Sequence, residues 1–210
     1  LHDRPLPPGI KDLAVALGII AVPTGLILIQ PDLGTAILVA GAGVAVIVLA
    51  GLQWRWMAGA ALALALAAPG LWYMLHDYQR QRILTLFDPQ SDPLGAGWNI
   101  IQSTTAIGSG GVYGKGLFQG TQSHLDFLPE SHTDFIIAVI GEELGLVGMT
   151  GLLLVYFALV ARGLFIAAQA QHAFQRLLAG ALSLTFFVYV FVNVGMVSGL
   201  LPVVGVPLPL

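Results

Sequence analysis

An all-α integral membrane protein, a polytopic bundle of transmembrane helices with one large extracytoplasmic loop, is what this sequence predicts. Three observations point that way. The chain is 57% hydrophobic and only 9% charged, with a mean hydropathy of +0.86. Its apolar residues gather in runs of about 18 or more, the length that spans a bilayer. One polar stretch, from His76 to Thr133, interrupts those runs. The chain has no cysteine, which excludes disulfides and thiolate metal sites. The net charge of −3 decides little, because in a membrane protein the placement of charge matters more than its sum.

About five spans are expected. The opening LHDRPLPPGIKD lacks the charged, apolar and small-residue pattern of a signal peptide and reads as a connecting loop. A first span over 13–30 contains Pro23 and Gly25, which membrane helices tolerate where neighbours satisfy the freed backbone. Gln30-Pro31-Asp32-Leu33-Gly34 breaks it, with Asp32 suited to cap the next helix. The second span covers 33–53 and ends at Trp54-Arg55-Trp56, aromatics around a cation at an interface. The third covers 57–75, the fourth 134–161 and the fifth 177–201.

Orientation follows from the short connections. Arg4 and Lys11, Arg55, and Arg162 and Arg176 all fall on one side of the membrane, which the positive-inside rule makes cytoplasmic. The long loop, 76–133, then faces outward. It keeps Ile83, Leu84, Phe87, Trp98, Ile100 and Ile101 among its polar residues, so short amphipathic helices are expected around 76–87 and 97–107. A polar loop of this length with apolar anchors is usually functional.

Asp134 is the acid with the clearest alternatives. Ser131-His132-Thr133-Asp134 fits a capping box, with Ser131 as N-cap and the acid at the third helical position. The functional alternative is a general base at the membrane edge. At about 100° per residue Ala138, Gly141, Gly145 and Gly148 share the face of Asp134, a small-residue stripe that admits another helix or a lipid chain. Glu142 would lie about 80° from that face and about 12 Å along the axis, deep enough to need a function or a buried partner. For Glu143, on the opposite face, an ion pair or hydrogen bond with another helix is preferred. The segment from Gly108 to Gly116, GSGGVYGKG, fails as a P-loop, since its spacing is wrong and no strand precedes it. It remains a turn able to cradle a phosphate, and with Arg80, Arg82 and Lys115 it is a candidate for a lipid diphosphate. His124, Asp126, Glu130, His132 and Asp134 show no metal-ligand spacing, so no protein-held metal is expected.

The same residues carry a resemblance. Asp77-Tyr78-Gln79-Arg80-Gln81-Arg82, Ser91-Asp92-Pro93-Leu94-Gly95, Gly108-Ser109-Gly110-Gly111, Phe127-Leu128-Pro129-Glu130-Ser131-His132-Thr133-Asp134-Phe135 and Gly141-Glu142-Glu143-Leu144-Gly145, with QPDLGT near the start and PVVGVPLPL at the end, closely resemble the SEDS family of shape, elongation, division and sporulation proteins. The DYQRQR and IGSGGVYGKG stretches favour its rod-shape branch over its division branch. The resemblance implies a bundle of about ten spans, of which this chain would lack the N-terminal spans and the last.

It also implies a peptidoglycan glycosyltransferase of the bacterial inner membrane that polymerises lipid II into glycan strands during elongation. Asp134 matches the family's essential aspartate. Linking a hydroxyl to an anomeric carbon that carries a diphosphate needs a base and positive charge for the departing group. Asp134 is therefore the expected catalytic residue, with substrate contacts from Arg80, Arg82, Lys115, Glu130, His132 and Glu142. No tightly bound cofactor is expected, only a divalent cation such as Mg²⁺ or Mn²⁺ arriving with the substrate diphosphate. Expected partners are lipid II, the growing lipid-linked strand, a class B penicillin-binding transpeptidase with the elongation machinery, and membrane lipid, with no nucleic acid. Two rivals stay open. A lipid II flippase would use Glu142, Glu143 and Asn193 as a polar path, and a non-catalytic scaffold for the transpeptidase would need only its helix faces.

Overall fold

In the computed structural model, which describes residues 9–30, 32–92, 95–121 and 133–209, all the long elements are α-helices and no strand occurs among the described residues. The helices are α1 (Ile10–Ile29), α2 (Leu33–Leu49), α3 (Trp54–Met74), α4 (Asp77–Phe87), α5 (Ala96–Gly110), α6 (Ile136–Gln169) and α7 (Ala173–Val197), with a 3-10 turn at Pro89–Ser91 between α4 and α5. Among the described residues α1, α6 and α7 are long and apolar enough to cross a membrane, and Gly34–Leu49 is a shorter apolar helix. Apolar side chains such as Leu62, Leu64, Phe157 and Leu182 stand exposed along these helices. A helix that is apolar all round needs hydrocarbon or other helices about it.

Local chemistry sets several boundaries. The Asp32 carboxylate accepts a hydrogen bond from the Thr35 backbone N–H at 3.1 Å, so it caps α2 as its place in the sequence suggested. α1 and α3 run through Pro23 and Pro69 without ending. α4 and α5 occupy the two parts of the polar stretch where short helices were expected, and α4 carries Asp77 in its first turn, where the helix dipole favours an acid. α6 continues past Arg162, whose guanidinium lies 5.5 Å from the Phe165 ring centroid, so this helix outlasts the span expected to stop near Ala161.

The start of α6 differs from the capping-box expectation. Its first helical residue is Ile136, and the Phe135 carbonyl accepts from the N–H groups of Ala138 and Val139 at 2.9 and 3.4 Å. Asp134 therefore stands just ahead of the helix rather than at its third position. Ser131, the expected cap, lies outside the described residues.

The chain divides into two compact units. The first comprises Leu1–Asp77 and Leu159–Phe186. In it α1 packs on α2, with Gly43 against the Ile20 side chain and no room there for a Cβ. An apolar cavity of about 680 Å³ is lined by Ile19, Val46, Ile47, Phe174 and Leu177 among others. The second comprises Tyr78–Ala158 and Phe187–Leu210, and it holds the polar buried residues Gln79, Thr85, Ser103, Glu142 and Asn193.

Candidate functional site

The second unit is built around an interruption of α6. At Gly145 the backbone leaves helical geometry, with φ 66° and ψ −161°, so α6 is two helical stretches, 136–144 and 146–169. A break strands carbonyls on one side and N–H groups on the other. The loop after α5 supplies the missing partners. Lys115 N–H donates to Glu142 O and Gly116 N–H to Glu143 O, both at 3.0 Å, while Leu146 N–H donates to Gly111 O at 3.0 Å and Val147 N–H to Val112 O at 3.1 Å. Each group left without a partner would cost about 1–3 kcal/mol, and more where water is excluded.

Backbone can reach backbone this closely only where side chains are absent. A Cβ on Gly110 would strike Gly141 O, one on Gly114 would strike Glu143 O, and one on Gly145 would strike Gly114 N. The glycine-rich segment is thus the complement of a broken helix. Its N–H groups at Gly114, Lys115 and Gly116 are all engaged within the fold, which corrects the idea that they cradle a phosphate. The break also corrects the picture of one continuous small-residue face, although Gly141 does admit α5, with Ile107 Cγ1 3.1 Å from where its Cβ would be.

Side chains lock the same join. Glu142 is fully buried, and its Oε1 accepts from Lys115 Nζ at 2.7 Å, from Thr121 N–H at 2.8 Å and from Thr121 Oγ1 at 3.0 Å. Lys115, whose side chain is 28% exposed, also donates to Thr121 Oγ1 at 2.9 Å. The buried partner that Glu142 needed is therefore Lys115, from the loop. Both were expected among the substrate contacts, and here each serves as the other's counter-ion. Glu142→Gln is expected to lower stability by about 1–3 kcal/mol, less than for a fully enclosed pair because Lys115 stays partly exposed. Thermal unfolding of the full-length protein in detergent checks it, and adding Lys115→Met should recover part of the loss.

Asp134 lies at a second junction. The residue is half-buried, and its Oδ2 is 3.4 Å from where a Cβ on Gly205 would be, Gly205 having φ 69°. The backbone carbonyl of Asp134 accepts from Asn193 Nδ2 at 2.7 Å, and the same Nδ2 donates to Val206 O at 2.6 Å. Gly205 and Val206 belong to PVVGVPLPL, which follows a turn closing α7. There Gly199, at φ 72°, donates to Met196 O at 3.1 Å and Leu200 N–H donates to Gly195 O at 2.8 Å, the pattern of a Schellman cap. The returning segment buries Val206 and Leu208 without regular structure. Its prolines reduce the number of N–H groups needing partners, and Tyr156 OH donates to Pro209 O at 3.1 Å. Ser103 Oγ, on α5, donates to Val197 O at 2.9 Å, satisfying a carbonyl at the end of α7. Ser103→Ala is expected to cost about 1 kcal/mol in thermal unfolding of the full-length protein.

The remaining expected site residues divide. Arg80 is half-buried and Arg82 exposed on α4. Two residues apart on a helix they point about 200° apart, so they do not share a face. His124, Asp126, Glu130 and His132 lie outside the described residues. Thr121, Gly205 and Ser103 were not singled out by the sequence, and Asn193 was considered only as part of a polar path. An amide inside a long apolar helix was the available signal.

Comparison with known proteins agrees with this architecture. Residues 2–210 match the family model FTSW_RODA_SPOVE, described as a cell cycle protein. The chain is 61% identical over 205 residues to the peptidoglycan glycosyltransferase MrdB of Escherichia coli K12, covering 97% of this chain and 55% of that protein. It is 40% identical over 193 residues to the probable peptidoglycan glycosyltransferase FtsW of Geobacter metallireducens, covering 91% of this chain and 50% of that protein. The higher identity to MrdB is in the direction that DYQRQR and IGSGGVYGKG indicated. Among solved structures, one described as "Structural coordination of polymerization and crosslinking by a peptidoglycan synthase complex" contains a chain similar to this one with TM-score 0.79 and 33% identity, covering 100% of this chain and 57% of that one. A mutant of the Thermus thermophilus rod shape determining protein RodA is similar with TM-score 0.61 and 27% identity, covering 99% and 52%. The chain spans about half the length of the relatives it matches. With its apolar helices and this match over nearly its whole length, the chain belongs to the SEDS family of multi-pass membrane proteins.

Proposed function

We propose that this chain is part of a peptidoglycan glycosyltransferase that polymerises lipid II into glycan strands during cell elongation, with Asp134 as the general base. The observation that carries the proposal is the placement of Asp134. The residue is half-buried just ahead of α6, a helix long and apolar enough to cross a membrane, and its backbone is tied through Asn193 to the segment that returns after α7. That is where a base for a lipid-anchored sugar has to stand: within reach of the headgroup and fixed in direction.

The reaction is a single inverting displacement. Asp134 takes the proton of the 4-hydroxyl on the incoming lipid II sugar. The oxygen forms a bond to the anomeric carbon at the lipid-linked end of the growing strand, and the bond from that carbon to the diphosphate breaks. Undecaprenyl diphosphate departs with the electron pair, so it needs positive charge and no acid. That charge comes from Arg80 or Arg82, with a divalent cation carried on the substrate diphosphate. Lys115 ranks behind the arginines because it already balances Glu142. Glu130 and His132 remain candidate substrate contacts ahead of Asp134, and Glu142 acts as a tie rather than a contact.

The long loop 76–133 is extracytoplasmic in this reading, the membrane is the bacterial inner membrane, and helices α1, α2, α3, α6 and α7 are its spans. A class B penicillin-binding transpeptidase is the partner, a reading that the likeness to a chain of a peptidoglycan synthase complex supports. The test uses the full-length protein purified with its transpeptidase and supplied with labelled lipid II. A ladder of glycan polymer on a gel is the expected result. Transport of lipid II across vesicles without polymer would indicate a flippase instead, and neither activity a scaffold.

A further inference from the structure

The amide of Asn193 has a place that packing does not explain. It is fully buried on α7, and its Nδ2 donates to two backbone carbonyls that lie outside the helices, those of Asp134 at 2.7 Å and Val206 at 2.6 Å. Two carbonyls on one atom identify that atom as the nitrogen, since the reversed amide would set oxygen against oxygen. Its Oδ1 is buried with no hydrogen-bond partner among the described residues. A buried acceptor left unsatisfied lowers stability, so the residue is a poor choice for stability alone. Such groups in native structures call for an explanation.

What Asn193 touches supplies one. The Asp134 carbonyl, which accepts from Asn193, stands just ahead of the first helical residue of α6. Fixing it orients the peptide plane next to the Cα from which the carboxylate branches. On the other side Gly205 meets that carboxylate, with Asp134 Oδ2 3.4 Å from the position of a Cβ. Asn193 thereby ties the acid and the segment that borders it to one atom.

We infer that Asn193 is a positioning residue for the transfer reaction: by donating to Asp134 O and Val206 O together it holds the Asp134 carboxylate in line with the acceptor hydroxyl. The inference rests on the reading of Asp134 as the base. Asn193 touches no substrate in it and acts through Asp134. Asn193→Leu keeps the branched shape and removes both hydrogen bonds. A displaced base loses turnover without losing binding, because the lipid and sugar contacts are made elsewhere.

The experiment measures kcat and the apparent KM for labelled lipid II in the full-length protein with its partner, per mole of folded complex from size exclusion. Asn193→Leu is expected to lower kcat about tenfold to a hundredfold while KM stays within about twofold. Asn193→Ala, which removes the same two hydrogen bonds with a smaller side chain, is expected to show the same split and serves alone if Asn193→Leu does not fold. Wild-type kcat in the folded fraction of either variant overturns the positioning role, even if unfolding temperature falls. Asp134→Asn is run beside them. If it is inactive while Asn193→Leu turns over normally, only the positioning role fails; if it turns over normally, the assignment of the base fails and the positioning role with it.

Discussion

Asp134→Asn in the full-length protein is expected to reduce glycan polymerisation about 10²- to 10⁴-fold, the range over which a positioned general base contributes. Asparagine keeps the size of the side chain and its backbone surroundings but cannot take a proton. The structure makes this a clean substitution. The hydrogen bond from Asn193 reaches the backbone carbonyl of Asp134, which the change leaves in place. Co-purification with the transpeptidase and an unchanged unfolding temperature would show that the loss is chemical. Asp134→Glu retains the base one methylene away from its place and is expected to recover a small part of the rate. Polymerisation at the wild-type rate by Asp134→Asn would leave the residue as an element of the α6 entry only.

The second large effect is structural. Gly145→Val is expected to destabilise the protein by at least about 3 kcal/mol, summing the strain of a β-branched residue at positive φ and the intrusion into a filled space. The space is filled by backbone, Gly114 N and Val112 O, which cannot rotate aside. The visible result would be loss of folded full-length protein on extraction, or a large drop in unfolding temperature. Gly151→Val, further along the same helix, supplies the contrast. Gly151 is exposed, and no atom lies within 4 Å of the position its Cβ would take. That change should stay within about 0.5 kcal/mol.

These two residues mark what a sequence can and cannot carry. The membrane class was legible because it depends on composition and run length alone. The positions of α4 and α5 were legible because each keeps apolar residues at helical intervals within a polar stretch. The cap at Asp32 was legible because its partner, Thr35, is three residues away. The break at Gly145 was not, since glycine is common in unbroken membrane helices. What opens the helix there is a loop separated from it by a long stretch of chain. The ion pair of Lys115 with Glu142 was hidden for the same reason, its members standing 27 positions apart with no periodicity connecting them. The start of α6 shifted from Asp134 to Ile136, within the margin by which helix ends resist assignment. That small shift matters, because it changes Asp134 from a residue of the helix into one held from outside it.

The site reading had a similar limit. The acid itself stood out, because a carboxylate beside an apolar run invites a functional explanation. Its support did not, because Asn193 and Gly205 lie on a different helix and beyond it, and only folding brings them to Asp134.

The most direct test of Asp134-dependent group transfer is the stoichiometry of lipid diphosphate released against sugar incorporated. The full-length protein and its transpeptidase would be followed by phosphorus NMR with labelled lipid II. One undecaprenyl diphosphate should appear for each disaccharide joined to the strand, and both signals should vanish together in Asp134→Asn. Movement of intact lipid II across the bilayer with no diphosphate released, or release that persists at the wild-type rate in Asp134→Asn, would contradict it.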